Sequence, residues 1–147
     1  MPPPKAKTGI AAGAAAGVRA ARGARAHARG SEAEAAACAA LVTDGWQILG
    51  RRLRTAAGEV DVVAGCRGLL AFVEVKARPE LRDAAAAVSP RQQRRLLAAA
   101  EILLGNHPEW AAAGFGEAGL RFDVVLVDAH GRVRRIIDAF RAELAAT

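Results

Sequence analysis

Two carboxylates and an amine are grouped in this chain: Asp61, then Glu74-Val75-Lys76 thirteen residues further on. The stretch Gly58-Glu59-Val60-Asp61-Val62-Val63-Ala64 leads into a Gly65-Cys66-Arg67-Gly68 break, and Leu69-Leu70-Ala71-Phe72-Val73-Glu74-Val75-Lys76 follows. Apolar, β-branched runs on either side of a glycine-bounded turn read as a β-hairpin. Charge is costly inside such strands unless it is paired, so the acids and the lysine call for a partner or a ligand. Carboxylate oxygens suit Mg²⁺ or Mn²⁺, and Mg²⁺ is commonly held by one or two carboxylates together with substrate phosphate. Such an ion polarises a phosphate and acidifies a bound water. Lys76 could orient that water or neutralise charge developing on the phosphate. The set points to phosphodiester hydrolysis, and an ion pair at a strand end is the plain alternative.

Side chains alternate along a strand, so Glu59, Asp61 and Val63 are expected on one face, as are Phe72, Glu74 and Lys76. Pairing Ala64 with Leu69 across a four-residue turn sets Glu59 opposite Glu74, with Asp61 as its diagonal neighbour. A slip of one residue would send the two groups to opposite faces.

The elements that must hold these residues can be read from capping and periodicity. Ser31 is a candidate N-cap for a helix to about Val42, with Glu34 as its capping-box partner. A strand runs from Trp46 to near Arg54, and the hairpin supplies two more. Ser89-Pro90 opens a second helix over Arg91 to Leu104, with leucines at 96, 97, 103 and 104 making one apolar face. A polar loop is expected through Gly119, then a strand over Phe122 to Val127, a turn at Asp128-Ala129-His130-Gly131 and a strand over Val133 to Ile137. Ala139 to Ala145 could close as a short helix. The order α-β-β-β-α-β-β gives an α/β domain over residues 30–147, a mixed sheet of about five strands flanked by helices.

The formal charge of +6 belongs to residues 1–29, an Ala/Gly/Arg-rich arm expected to be flexible. Six of the 21 basic residues (Lys5, Lys7, Arg19, Arg22, Arg25 and Arg29) precede the first acid, Glu32, leaving 15 basic against 15 acidic residues in the rest. The domain is therefore neutral, and any contact with nucleic acid must come from local patches. Arg51, Arg52, Arg54 and Arg78, with Arg91, Arg94 and Arg95, are candidates for a phosphate-contacting rim or for a solvated face. The arm has a transit-peptide-like composition, although the same bias runs through the whole chain. No apolar run of roughly 18 residues suggests a membrane span. Two cysteines without metal-ligand spacing, Cys38 and Cys66, fit a reduced, cytoplasmic setting. Trp46 and Trp110 read as core or loop packing, and no recognition-helix or zinc motif is present.

Asp61…Glu74-Val75-Lys76 resembles the active-site signature of the PD-(D/E)xK nuclease superfamily. The longer series Gly30-x-x-Ala33-Glu34, Gly45-Trp46-x-Ile48-Leu49, Arg51-x-x-Arg54, Gly58-Glu59-Val60-Asp61, Phe72-Val73-Glu74-Val75-Lys76-x-Arg78 and Arg121-Phe122-Asp123 is similar to the bacterial YraN-like family within it. The resemblance implies a restriction-endonuclease-like fold, with Asp61 and Glu74 as metal ligands, Lys76 as the catalytic lysine and Glu34 as the first-helix acid completing the metal and catalytic set. It also implies Mg²⁺ or Mn²⁺ as cofactor and DNA, structured or branched forms included, as substrate. Many nucleases of the superfamily are homodimers. Two departures stand out: relatives often carry Arg-Asn where this chain has Arg51-Arg52, and a lysine usual near the start of the second helix is Gln92. A non-catalytic nucleic-acid-binding module, or a scaffold in which the acids form only ion pairs, are the alternatives. Asp123 is expected in a structural salt bridge.

Overall fold

A computed structural model describes residues 30–78 and 88–140. The arm at 1–29 and most of the proposed closing helix lie outside the described residues. Residues 30–43 form helix α1. Strands β1 (Gln47–Thr55), β2 (Gly58–Cys66) and β3 (Leu69–Ala77) follow, then helices α2 (Pro90–Asn106) and α3 (Pro108–Ala112), and strands β4 (Gly119–Val127) and β5 (Val133–Phe140). Ala139, expected to begin a helix, instead belongs to β5. The short α3 stands where a polar loop was expected. Pro108 at its first position and Trp110, buried against the sheet, account for it.

The five strands form one sheet in the order β1-β2-β3-β4-β5. All neighbours are antiparallel except β3 and β4, which run parallel from Leu69↔Gly119 to Ala77↔Val127. A parallel pair needs a long crossover, and α2 with α3 lies within it. The mixed α/β sheet is the arrangement expected of a restriction-endonuclease-like fold.

Each face of the sheet has its own apolar layer. Val63, Leu70, Phe72, Phe122 and Leu126 pack with Leu96, Leu103 and Trp110 on the α2 side. Val62, Ala64, Ala71, Val73 and Val125 pack with Ala37, Leu41 and Trp46 on the α1 side. The fully buried strand residues on both faces explain the near-continuous apolar runs of β2, β3 and β4. Helix α2 starts as the sequence predicts. Ser89 Oγ accepts the Gln92 N–H at 3.2 Å and Gln92 Oε1 accepts the Ser89 N–H at 3.0 Å, a complete capping box ahead of Pro90.

The hairpin turn is shorter than the glycine spacing suggested. Cys66 pairs with Leu69, so only Arg67 and Gly68 form the turn, both with positive φ (52° and 79°) as a type I′ turn requires. Gly65 belongs to β2 for a different reason: a Cβ there would sit 2.3 Å from the Phe115 ring. It is a packing glycine rather than a turn glycine.

Candidate active site

The register from Cys66↔Leu69 to Val62↔Val73 is offset by two residues from the pairing expected from the sequence. An even offset keeps faces unchanged but alters partners. Continued by one step, it brings Asp61, and not Glu59, opposite Glu74. Glu59 instead lies across from Arg54 on β1, with its Oε2 3.3 Å from Arg54 Nε.

The ladder between β2 and β3 stops at Val62↔Val73. Beyond it, Asp61 Oδ2 accepts the backbone N–H of Val75 at 2.8 Å, so a side chain replaces the missing strand partner. Simple alternation also fails at this point. Val62 belongs to the α1-side layer, yet Val60 belongs to the α2-side layer, as does Leu53 opposite it. Two residues of the same parity cannot face opposite ways in a regular strand. The reversal falls where Arg52 stands across from Asp61, and Arg52 takes φ 50°, the left-handed region. Asp61 therefore sits at the pivot where the β1–β2 ribbon turns away from β3.

That position exposes Asp61 to two adjoining clefts. One, of about 230 Å³, is lined by Glu59, Asp61, Glu74, Gln92, Arg95 and Leu96 on the α2 side. The other, of about 350 Å³, is lined by Gly30, Glu34, Arg52, Arg54, Asp61 and Val75 on the α1 side. Lys76 Nζ lies 3.1 Å from Glu74 Oε1, and both side chains are largely buried. The acids and the lysine singled out in the sequence thus meet: Asp61 and Glu74 share a cleft, and Lys76 is tied to Glu74. Burial, then repulsion from Glu74, pushes the Asp61 carboxyl up to about 7, against the opposing Val75 hydrogen bond.

Glu34 is not the capping-box partner expected of it. Gly30 is already helical, so Ser31 lies inside α1 rather than at its cap. Both carboxylate oxygens of Glu34 are instead taken by arginines: Oε1 by Arg51 Nε at 3.1 Å and Oε2 by Arg52 Nε at 3.0 Å. Among the described residues, no three His, Cys, Asp or Glu side chains are grouped so as to hold a metal ion. Asp61 and Glu74, two oxygen donors facing a cleft, match what Mg²⁺ takes from a protein when phosphate and water complete its shell.

The other arginines are dispersed. Arg54 pairs with Glu59, and Arg78 donates to the Ala77 carbonyl beside a separate cavity lined by Glu32, Ala36, Val127 and Asp128. Arg91 is exposed in the first turn of α2. Gln92 is in the cleft but is committed to the cap, and Arg95 is the basic side chain there. Asp123 is structural, as expected: it is buried, holds Arg121 at 2.7 Å and accepts the Asp138 N–H where the β4–β5 register shifts. Trp46 lies under the guanidinium groups of Arg121 and Arg135, 5.0 and 5.6 Å from its ring centre. Arg52 was a rim candidate from sequence, but its left-handed backbone and its bond to Glu34 were not anticipated.

Among the described residues, no helix is long and apolar enough to cross a membrane. Residues 33–127 match an uncharacterised protein family, UPF0102. A UPF0102 protein of Granulibacter bethesdensis is 57% identical over 122 residues, which cover 83% of this chain and 74% of that protein. One from Acidiphilium cryptum is 50% identical over 125 residues, covering 85% and 93% of the two chains. A third, from a Bradyrhizobium strain, is 50% identical over 113 residues, 77% of each chain.

Proposed function

The chain belongs to the UPF0102 family, the YraN-like family its motifs resemble, and from that premise we propose that it is a Mg²⁺- or Mn²⁺-dependent endonuclease acting on DNA, structured or branched forms included. One observation carries the reading: Asp61 and Glu74 converge where β2 and β3 part, with Lys76 drawn to the same point by Glu74. A strand pair that stayed zipped would bury this position. The parted strands open it to a cleft from which a phosphate can approach.

Asp61 and Glu74 would hold the ion, which when bound supplies Lewis acidity toward the scissile phosphate. Asp61 is kept in place by the Val75 N–H, which fixes one oxygen of a side chain that lines the cleft. The Lys76 ammonium, held beside Glu74, donates hydrogen bonds to the attacking water and to the phosphoryl oxygens as charge grows on them. Water oxygen adds to phosphorus, the bond to one ester oxygen breaks, and the water proton passes by way of solvent to the departing oxygen. The products are a phosphomonoester and an alcohol.

Supercoiled and branched DNA incubated with the protein in Mg²⁺ or Mn²⁺ tests this. Cleavage should fall at least about 100-fold in Asp61→Asn and in Lys76→Met, in line with the loss of a transition-state contact. Cleavage surviving both changes, or absent from the wild type with either metal, would overturn it. The two arginines on Glu34 favour a second reading, a module that binds nucleic acid without cutting it, and the same experiment with a binding readout separates the two.

A further inference from the structure

We propose that Arg51 and Arg52, held by Glu34, form a seat for a DNA backbone phosphate next to the carboxylate pair. It rests on the nuclease reading only for its location. Glu34 is then a positioning residue rather than a metal ligand.

The argument begins with the carboxylate. Glu34 is 8% exposed in its side chain, whereas the Arg51 and Arg52 side chains are 46% and 40% exposed. One buried anion thus anchors two cations whose outer ends face solvent, and the trio carries a net charge of +1. Both contacts are made through Nε. Each guanidinium is gripped at its inner edge, and among the described residues its terminal amino groups donate no hydrogen bond to another residue. Those amino groups present the planar fork that suits phosphate oxygens.

Backbone geometry makes the same point independently. Consecutive strand residues point to opposite faces, so Arg51 and Arg52 should not reach one carboxylate. They do so because Arg52 adopts φ 50°, a conformation that costs an arginine on the order of 1–2 kcal/mol. Strain kept in a β-strand beside a cleft marks a functional arrangement. Arg52, Glu34 and Asp61 line one cleft of about 350 Å³, so a phosphate on Arg52 lies one cleft wall from Asp61, with Arg51 on the same Glu34 carboxylate. Of the arginines expected at this rim from sequence, Arg54 and Arg78 are less suited: Arg54 is spent on Glu59, and Arg78 lines a separate cavity.

The test measures binding of a fluorescent DNA duplex in EDTA, across a range of KCl concentrations, with the full-length protein. Each lost phosphate contact should make the log-log salt dependence shallower by about 0.9. Arg51→Gln/Arg52→Gln should therefore lose between one and two in slope and about tenfold or more in affinity at 0.1 M salt. Arg132→Gln/Arg134→Gln removes the same charge at the other end of the sheet order, just before and within β5, and should leave the slope unchanged. Should the first pair fail to fold with Glu34 unpartnered, Glu34→Gln/Arg51→Gln/Arg52→Gln removes the buried charge and must show the same slope. Glu34→Asp keeps every charge while shortening the reach, and should weaken binding at least about threefold at unchanged thermal stability. Equal effects of the two arginine pairs, an unaltered slope, or unaltered binding by Glu34→Asp would overturn the seat. A protein that binds in this way yet never cleaves overturns the nuclease reading alone.

Discussion

Replacing Asp61 by Asn should make the metal-free protein more stable, by an amount that grows from about pH 4 and is complete above about pH 7. Burial and the charge of Glu74 hold the Asp61 carboxyl at about 7, against an ordinary 3.8. Because the folded-state value is raised, the native state retains a proton that the unfolded chain releases between those limits. The stability this confers is fully present below pH 3.8 and is lost as pH rises through 7. Three units of difference amount to at most about 4 kcal/mol at pH 8. Water in the open cleft screens the charge, and we expect about 2 kcal/mol in practice. Asparagine keeps an oxygen for the Val75 N–H at the same reach and carries no charge. Urea unfolding in EDTA at pH 8 should therefore show Asp61→Asn more stable than wild type by about 2 kcal/mol, with the difference falling below about 0.6 kcal/mol at pH 4. Adding Mg²⁺ at pH 8 should raise the wild-type midpoint and leave that of the variant unmoved. A variant less stable than wild type at pH 8, or a gain equal at both pH values, would show that Asp61 carries no penalised charge.

Arg52→Asn should be about 1 kcal/mol less destabilising than Arg51→Asn in urea unfolding, since both lose a bond to Glu34 but only position 52 recovers the cost of φ 50°; equal losses would mean the backbone there is unstrained. Gly65→Ala should cost about 2 kcal/mol or more by the same measurement, because its Cβ would meet the Phe115 ring at 2.3 Å. Phe115→Leu should recover part of that loss in the double variant, and strict additivity would contradict the contact.

The parts of the fold set by local rules were legible. Ser89, Pro90 and Gln92 encode the start of α2 through hydrogen bonds within four residues. The apolar runs of β2, β3 and β4 declare strands buried on two faces, and the family motifs brought Asp61, Glu74 and Lys76 together in advance. What failed depended on distant partners. Gly65 reads as a turn residue until Phe115, fifty residues later, is seen lying over it. That error shifted the hairpin register by two and paired Glu59 with Glu74. Glu34 stands three residues after Ser31 and so mimics a capping box, and only β1 reveals that its partners are arginines. The left-handed turn at Arg52 lies in a strand of ordinary composition, where alternation gives no warning of it.

Trp46 and Trp110, the two tryptophans of the chain, lie in different apolar layers, one on each face of the sheet. Neither is a platform for bases, but together they make the molecule self-reporting. Trp46 emission, set by the two guanidinium groups above it, registers the α1 face, and Trp110, stacked on His107 at 4.2 Å, registers the α2 face. Paired single-tryptophan variants therefore turn fluorescence into a two-channel readout, in which coincident transitions mark a sheet that loses both coverings as one cooperative unit.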